Sequence, residues 1–562
     1  MHEMKSLSRT MQNRSATLAL VGACLIVLMT FAAYIPAMRG GFIWDDDQYV
    51  TQNSLLIAPD GLIRIWLSLD SPSQYFPLVY TMFRFERAIW GLNPLGYHIV
   101  NVLLHALSAL LVWAVLRRLS IKGAWIAAAI FALHPVNVES AAWITERKNV
   151  LSTFFYLLTV LAWLRYRDQS ATQPEKYYKL ALAFFALALF SKTTACTLPV
   201  VLLLLAWFKR ERVNRRTIED LAPFFGFALV MGFISVWWER SQQGTAGQEF
   251  AFTAVQRVLI ASHALWFYLG KLVRPHDLAF SYPKWEINAA DPRQYLWLAA
   301  CIVAAVALWL TRRRLGRGPI TAAAFFVVSL VPMLGFFSLY TFRYTFVADH
   351  YQYVASIGPI ALFSALIART WRSRTAGYAV KYALPAVILC VLGVLTWRQG
   401  FIYKDDEALW RDTMAKNPSS AMAYNNLGTI LKKKGDNEGA LRLFRKTLKL
   451  YPGAFESECN IGDILLAQGK TNEGIAHLRE SLRINPYYPN AHCRLADFLI
   501  TQGKLDEAIS HYHRAIGAKP DYADAYFNLG VALQRQGKNA EAVRAVQKAI
   551  SLDPGLAANL RK

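Results

Sequence analysis

Three consecutive carboxylates, Asp45, Asp46 and Asp47, follow Gly40-Gly41-Phe42-Ile43-Trp44 directly after the first long apolar run. A charged side chain inside a bilayer costs roughly 2.5–3.5 kcal/mol on insertion scales, so acids at this boundary ask for a reason. Adjacent carboxylates repel one another, which raises at least one pKa. A carboxylate held near neutral pH at a membrane surface is suited to general-base work. The plainer alternative is a solvated acidic loop that ends the first helix.

A second set of candidates is mainly cationic. His134, Glu139, Arg147 and Lys148 crowd the stretch from His134-Pro135 to Asn149. Lys192 stands in Ser191-Lys192-Thr193-Thr194, between two apolar runs. Arg343, Asp349, His350 and Tyr351 share a later loop, residues 340–353. Arg offers a planar donor fork and Lys a point charge, and both suit a phosphate. Interfacial anchoring and snorkelling are the alternatives. His98, Asn101 and His105 fall at i, i+3 and i+7 on one helical face. No further ligand lies nearby in sequence, so they read as hydrogen-bonded helix contacts. The loops carrying these residues contain no P-loop and no HExxH. No cofactor is indicated, and a divalent metal has no cluster to point to it.

The elements that must position these groups are apolar helices. Of 562 residues, 55% are hydrophobic and 18% charged, and the mean hydropathy is +0.24. Those values describe a membrane protein of two or three domains. The net charge of +23 is gathered at the ends of apolar runs, the signature of cytoplasmic loops, so nucleic acid is not an expected partner. The fold expected is all-α, a polytopic helical domain with about eleven spans followed by a helical-repeat solenoid. Residues 1–15 are a cytoplasmic N-terminus, 16–400 the transmembrane domain and 403–562 the repeat domain. Segment 251–283 reads as re-entrant or interfacial. An odd number of crossings puts Asp45 and the repeats on one side, outside, opposite the arginine-rich turns.

The repeats announce themselves by period. Pro418, Pro452, Pro486, Pro520 and Pro554 are each 34 residues apart, as are Gly428, Gly462, Ala496 and Gly530, and Ala440, Gly474, Ala508 and Ala542. That is the tetratricopeptide pattern, with small residues where paired helices touch. The repeats are 421–454, 455–488, 489–522 and 523–556, preceded by a half repeat at 403–418. Such stacks suit extended peptides; a structural or oligomerising role is the alternative.

An outward enzyme without a nucleotide motif needs its activated substrate delivered by lipid. An outer carboxylate, outer cations and an apolar body fit transfer of a sugar from a polyprenyl phosphate, with the cations holding the leaving phosphate. The supporting residues lie in Trp44-Asp45-Asp46 with Asn53, in Gly91-Leu92-Asn93-Pro94-Leu95-Gly96-Tyr97-His98 with Asn101 and His105, in His134-Pro135 through Glu139 and Trp143 to Arg147, in Ser191-Lys192, and in Ala348-Asp349-His350-Tyr351. In these stretches the chain resembles the membrane O-mannosyltransferases that carry tetratricopeptide repeats, and their bacterial relatives, within the GT-C glycosyltransferase superfamily. The resemblance implies a GT-C-like membrane domain and an inverting transfer. It implies a base at Asp45 or Asp46, with Asp47 an extra acid. It also implies a polyprenyl-phosphate sugar donor, such as mannose, and a hydroxyl acceptor, often Ser or Thr of a protein. His350 stands where relatives tend to have Arg, Phe76 precedes Pro77 where Arg is common, and Asn149 replaces a frequent Asp. The outer segments hold no Asn-x-Ser/Thr sequon, which leans toward a bacterial inner membrane with a periplasmic site rather than the endoplasmic reticulum. The rival readings are a non-enzymatic scaffold recruiting proteins through its repeats, and a lipid-linked glycan ligase or transporter.

Overall fold

The computed structural model describes residues 2–68, 74–241, 245, 247, 250–370, 382–553 and 555–556. Pro554, Arg372 and Arg374 lie outside the described residues. The chain divides into two compact units, Met1–Asn417 and Pro418–Lys562. Both are helical, and no strand occurs among the described residues.

Among the described residues of the first unit, five helices are long and apolar enough to cross a membrane: Ala16–Ala33, Pro94–Arg118, Arg215–Ser241, Pro292–Leu315 and Leu384–Tyr403. Four shorter apolar helices join them, Ala124–Leu133, Thr193–Phe208, Gly318–Met333 and Ile357–Arg369. Helix Arg147–Tyr166 sits at the centre, buried on most faces, and packs along Pro174–Ser191 and Pro94–Arg118. Segment 251–283 contains a regular 20-residue helix, Ala254–Val273, opened by a capping box between Thr253 and Gln256.

Local chemistry sets the helix ends near the candidate residues. Pro77, Pro94 and Pro174 open helices at the first turn, where the missing N–H costs nothing. Helix Ala124–Leu133 stops because His134 precedes Pro135 and is driven to extended backbone, φ −77 and ψ 125. Lys192 is likewise extended, φ −159 and ψ 127, and breaks the chain between Pro174–Ser191 and the short 3-10 turn Thr193–Thr197. These breaks set candidate polar residues at helix ends.

The second unit contains four helix pairs, from Ala421–Lys433 and Asn437–Leu450 to Ala523–Arg535 and Asn539–Leu552. The small residues sit where helices of a pair touch: a Cβ on Gly462 would lie 2.8 Å from the Gly474 carbonyl oxygen. A further 34-residue series closes each first helix. Gly435, Gly469, Gly503 and Gly537 take φ of 84, 77, 72 and 83°, a left-handed turn that glycine adopts freely. Helix Asp406–Lys416, expected as part of a half repeat, falls within the first unit.

Candidate active site

The three acids of the first loop have different surroundings. Asp46 is fully buried. Its Oδ2 accepts the Ile43 N–H at 2.9 Å, and its Oδ1 accepts the Thr145 N–H at 2.8 Å and the Thr145 hydroxyl at 2.6 Å. It staples the loop after the first helix to the turn before Arg147. Burial outweighs these hydrogen bonds and pushes the carboxyl up to about 7. Asp45 is only half-buried. Burial raises it to about 6, with the Lys148 charge opposing the rise and Glu146 adding to it. Asp47 is exposed and accepts the Thr51 hydroxyl at 2.8 Å. Asn53, one turn on, caps a 3-10 turn by accepting the Leu55 N–H at 3.0 Å.

Near Asp45, two lysines and a histidine converge on one carboxylate. Glu146 is fully buried. Lys148 Nζ lies 3.0 Å from its Oε1, Lys192 Nζ 3.4 Å from its Oε2, and His350 Nε2 3.8 Å from its Oε1. Burial alone would raise the Glu146 carboxyl; the charges of His350, Lys148 and Lys192 outweigh it and hold the group well below the usual carboxylate range. Burial would lower Lys148, but Glu146 and Asp45 hold it above its ordinary value. The ammonium also lies 5.3 Å over the Tyr49 ring and 5.6 Å over Trp143. His350 turns its other nitrogen to Glu139, Nδ1 to Oε1 at 3.0 Å, while Glu139 Oε2 accepts the His350 N–H at 3.0 Å. Arg343 ends the short helix Tyr340–Arg343 at the rim, and its charge and that of Asp45 both act on the Tyr340 hydroxyl.

Two expected phosphate ligands face elsewhere. The fully buried Arg147 guanidinium is occupied by Glu86, by the Asn101 amide oxygen and, at 2.8 Å, by the Tyr97 carbonyl. It anchors helix Arg147–Tyr166 to its neighbours. His134 caps the turn Pro135–Asn137 and bonds the Leu272 carbonyl at 3.0 Å through Nε2. Helix packing turns the Arg147 guanidinium toward Glu86, Asn101 and the Tyr97 carbonyl, and His134 toward the Leu272 carbonyl.

The remaining residues support that framework. Asn101 donates to the Trp143 carbonyl at 3.0 Å. His105 Nδ1 meets the Tyr353 hydroxyl at 2.6 Å, and His98 is buried beside the Gly40–Gly41 backbone. Asp349 is buried, and the Tyr282 hydroxyl lies 3.0 Å from each of its oxygens. Tyr351 bonds the Thr341 hydroxyl at 2.6 Å. Sequence reasoning missed Glu146, Thr145, Glu86 and Glu239. An acid followed directly by Arg147 and Lys148 was the available signal for Glu146. Glu239 carried none: its oxygens accept Gln74 Nε2 at 2.9 Å and the Tyr340 N–H at 3.0 Å, tying two loops distant in sequence. Among the described residues no group of three His, Cys, Asp or Glu side chains is placed to hold a metal.

An apolar cavity of about 600 Å³ runs among Leu157, Val160, Val201, Leu205 and Phe325 to Tyr156. Tyr156 also borders a narrow polar cleft reaching Asn149 and His350. Tyr156 therefore stands between the apolar space and the cleft that His350 borders.

Residues 70–238 match the family described as dolichyl-phosphate-mannose-protein mannosyltransferase. Tetratricopeptide repeat models match residues 420–451, 465–510, 497–537 and 523–556. The Asp45–Asp47 loop precedes the first match, whereas Glu146, Lys148 and Lys192 lie inside it. Protein O-mannosyl-transferase Tmtc1 of Drosophila melanogaster is 25% identical over 541 residues, which cover 76% of this chain and 61% of that protein. Human TMTC1 is 24% identical, covering 77% of this chain and 56% of that protein. Mouse TMTC2 is 34% identical over 146 residues, 24% of this chain. The chain thus spans about three-fifths of the first of these relatives, with 61% covered. Among solved structures, MamA is 22% identical over 29% of this chain and 94% of that chain, with a TM-score of 0.24. A segment that matches the mannosyltransferase family and a series of tetratricopeptide repeats thus occur in one apolar chain, which is similar to the protein O-mannosyl-transferases Tmtc1 and TMTC1.

Proposed function

We propose that this protein is an inverting GT-C-type glycosyltransferase that moves a hexose, mannose by analogy with its relatives' names, from a polyprenyl phosphate to a Ser or Thr hydroxyl of a protein. The observation that carries this reading is the pairing of a half-buried carboxylate, Asp45, with the buried group formed by Lys148, Lys192, His350 and Glu146. The acceptor oxygen attacks the anomeric carbon as the bond from that carbon to the phosphate oxygen breaks. Asp45 takes the hydroxyl proton. The polyprenyl phosphate leaves with its new charge held by Lys148 and Lys192, and by His350 when protonated. The apolar cavity that reaches Tyr156 supports a lipid-linked donor, since it offers an isoprenoid tail an apolar lining next to the cleft that His350 borders. Asp46, which accepts three hydrogen bonds, is the anchor of the loop rather than the base.

In this reading the chain crosses the membrane eleven times, and the site and repeats face the periplasm, or the lumen in a eukaryote. The repeats present the acceptor polypeptide. The test is transfer from a synthetic polyprenyl-phosphate mannose to a Ser/Thr peptide by purified protein. Asp45→Asn abolishes transfer in this mechanism, and a fully active variant sinks it. Intact-mass measurement of repeat-bound proteins shows added hexose if the acceptor is protein; unmodified partners favour a scaffold or a glycan ligase.

A further inference from the structure

The backbone beside the proposed base is strained. Trp44 takes φ +49°, a left-handed conformation unusual for a bulky side chain. Such strain persists only where surrounding contacts impose it. Here the contacts come from 362 residues away. The Trp44 N–H donates to Asp406 Oδ1 at 2.9 Å. One turn along the same helix face, Trp410 meets the Trp44 ring edge-on at 4.8 Å and is itself 1% exposed. Just before this helix, the Lys404 carbonyl accepts the Gly41 N–H at 2.8 Å, and a Cβ on Gly40 would lie 2.9 Å from the Tyr403 oxygen. Aromatic contacts continue inward: Trp410 to Phe280 at 5.4 Å, Phe280 to Trp143 at 5.1 Å, and Trp143 to His350 at 6.2 Å.

We infer that Asp406 is a positioning residue for the proposed base, and that residues 403–410 belong with the site's framework rather than with the start of the repeat stack. The inference rests on the transfer reading above. Asp405 caps the helix by accepting the Ala408 N–H at 2.8 Å, which leaves the neighbouring Asp406 carboxylate to take Trp44. With that acceptor removed, Trp44 relaxes toward negative φ and carries Asp45, the next residue, away from Lys148.

The experiment compares Asp406→Ala, Asp406→Asn and Lys416→Ala in the full chain. Asn keeps an oxygen for the Trp44 N–H. Lys416, which donates to the Leu278 carbonyl at 2.8 Å, controls for packing at the helix's other end. Asp406→Ala should lower kcat about 10–100-fold with donor KM little changed, as expected of a misplaced catalytic group. Asp406→Asn should retain most of the rate, and Lys416→Ala should lower thermal stability without a comparable loss of kcat. Hydrogen exchange across residues 40–50 reads the same claim without activity: the Trp44 amide should exchange at least about tenfold faster in Asp406→Ala and stay protected in Asp406→Asn. A wild type that transfers no sugar refutes the functional reading while this exchange result still decides the contact. Unchanged kcat in Asp406→Ala, equal impairment of the Ala and Asn variants, or unchanged exchange in Asp406→Ala overturns the inference.

Discussion

Each unit of this protein carries a chain of charges, and the two differ in burial. In the first unit Lys148 and Lys192 pack against Glu146, with side-chain exposures of 10% or less. In the repeats Lys432 bonds Asp463 at 2.5 Å and Arg494 bonds the same carboxylate at 3.3 Å, with exposures of 24% to 50%. Exposed pairs are screened and contribute little, so the repeat ladder helps fix the stacking of neighbouring helices and little else. Burying two lysines and a histidine around one acid is a poor way to stabilise a fold, because desolvation offsets most of the attraction. In the proposed transfer, Lys148 and Lys192 are the groups that would meet a second anion, the donor phosphate.

That contrast can be broken or sharpened by substitution. The largest effect is expected at Asp45: Asp45→Asn should lower kcat by about 10²–10⁴, the usual range for a lost general base. Next is Arg147, buried in the same region yet outside the cleft. Arg147→Ala leaves Glu86 buried without its partner and should cost about 3–5 kcal/mol, read as loss of folded protein in detergent. Lys192→Met should keep the fold and raise donor KM about 10–100-fold, matching one lost charge-assisted hydrogen bond. If Arg147→Ala folds normally and only weakens donor binding, the division between framework and site is wrong.

The pH dependence gives a smaller, graded effect. Asp45 titrates near 6 in the fold against 3.8 ordinarily. Its basic form is therefore lost as pH falls through about 6, and kcat/KM should drop about tenfold per unit below that. Stability runs the other way. A raised carboxyl favours the fold when protonated, so this contribution is present in acid and lost as pH rises through about 6. Asp45→Asn should consequently melt higher than wild type at pH 7 while being inactive. Last, Asp463→Ala should cost the repeats only about 0.2–1 kcal/mol and leave transfer to a saturating short peptide unchanged.

Much of the helical architecture was legible because its causes are local. Helix Ala124–Leu133 is one case, since His134-Pro135 ends it whatever surrounds it. The 34-residue spacing located every helix pair in the repeats. The closing glycines Gly435, Gly469, Gly503 and Gly537 share that spacing and passed unread, because the prolines and small residues had already marked the period. The site was half legible. The acid triplet and the lysines stood out by charge at apolar boundaries, yet Arg147 and Lys148 are sequence neighbours with opposite roles. One residue turns a side chain by about 100° around a helix, so one faces Glu86 and the other Asp45. Glu239 and Asp406 could not be read, because each matters only through a loop it meets in space.

The sequence by itself therefore settled the class: a chain of apolar helices ending in basic turns, with polar breaks at fixed places and a periodic tail. Prolines, glycines and hydrophobic runs act over a few residues, and no distant partner is needed to interpret them. Only the tertiary structure decided which of three adjacent aspartates is sealed in hydrogen bonds and which meets an ammonium group, and why Trp44 holds a conformation it would not choose alone. Burial and hydrogen bonding between segments hundreds of residues apart set those outcomes, and no spacing along the chain encodes them.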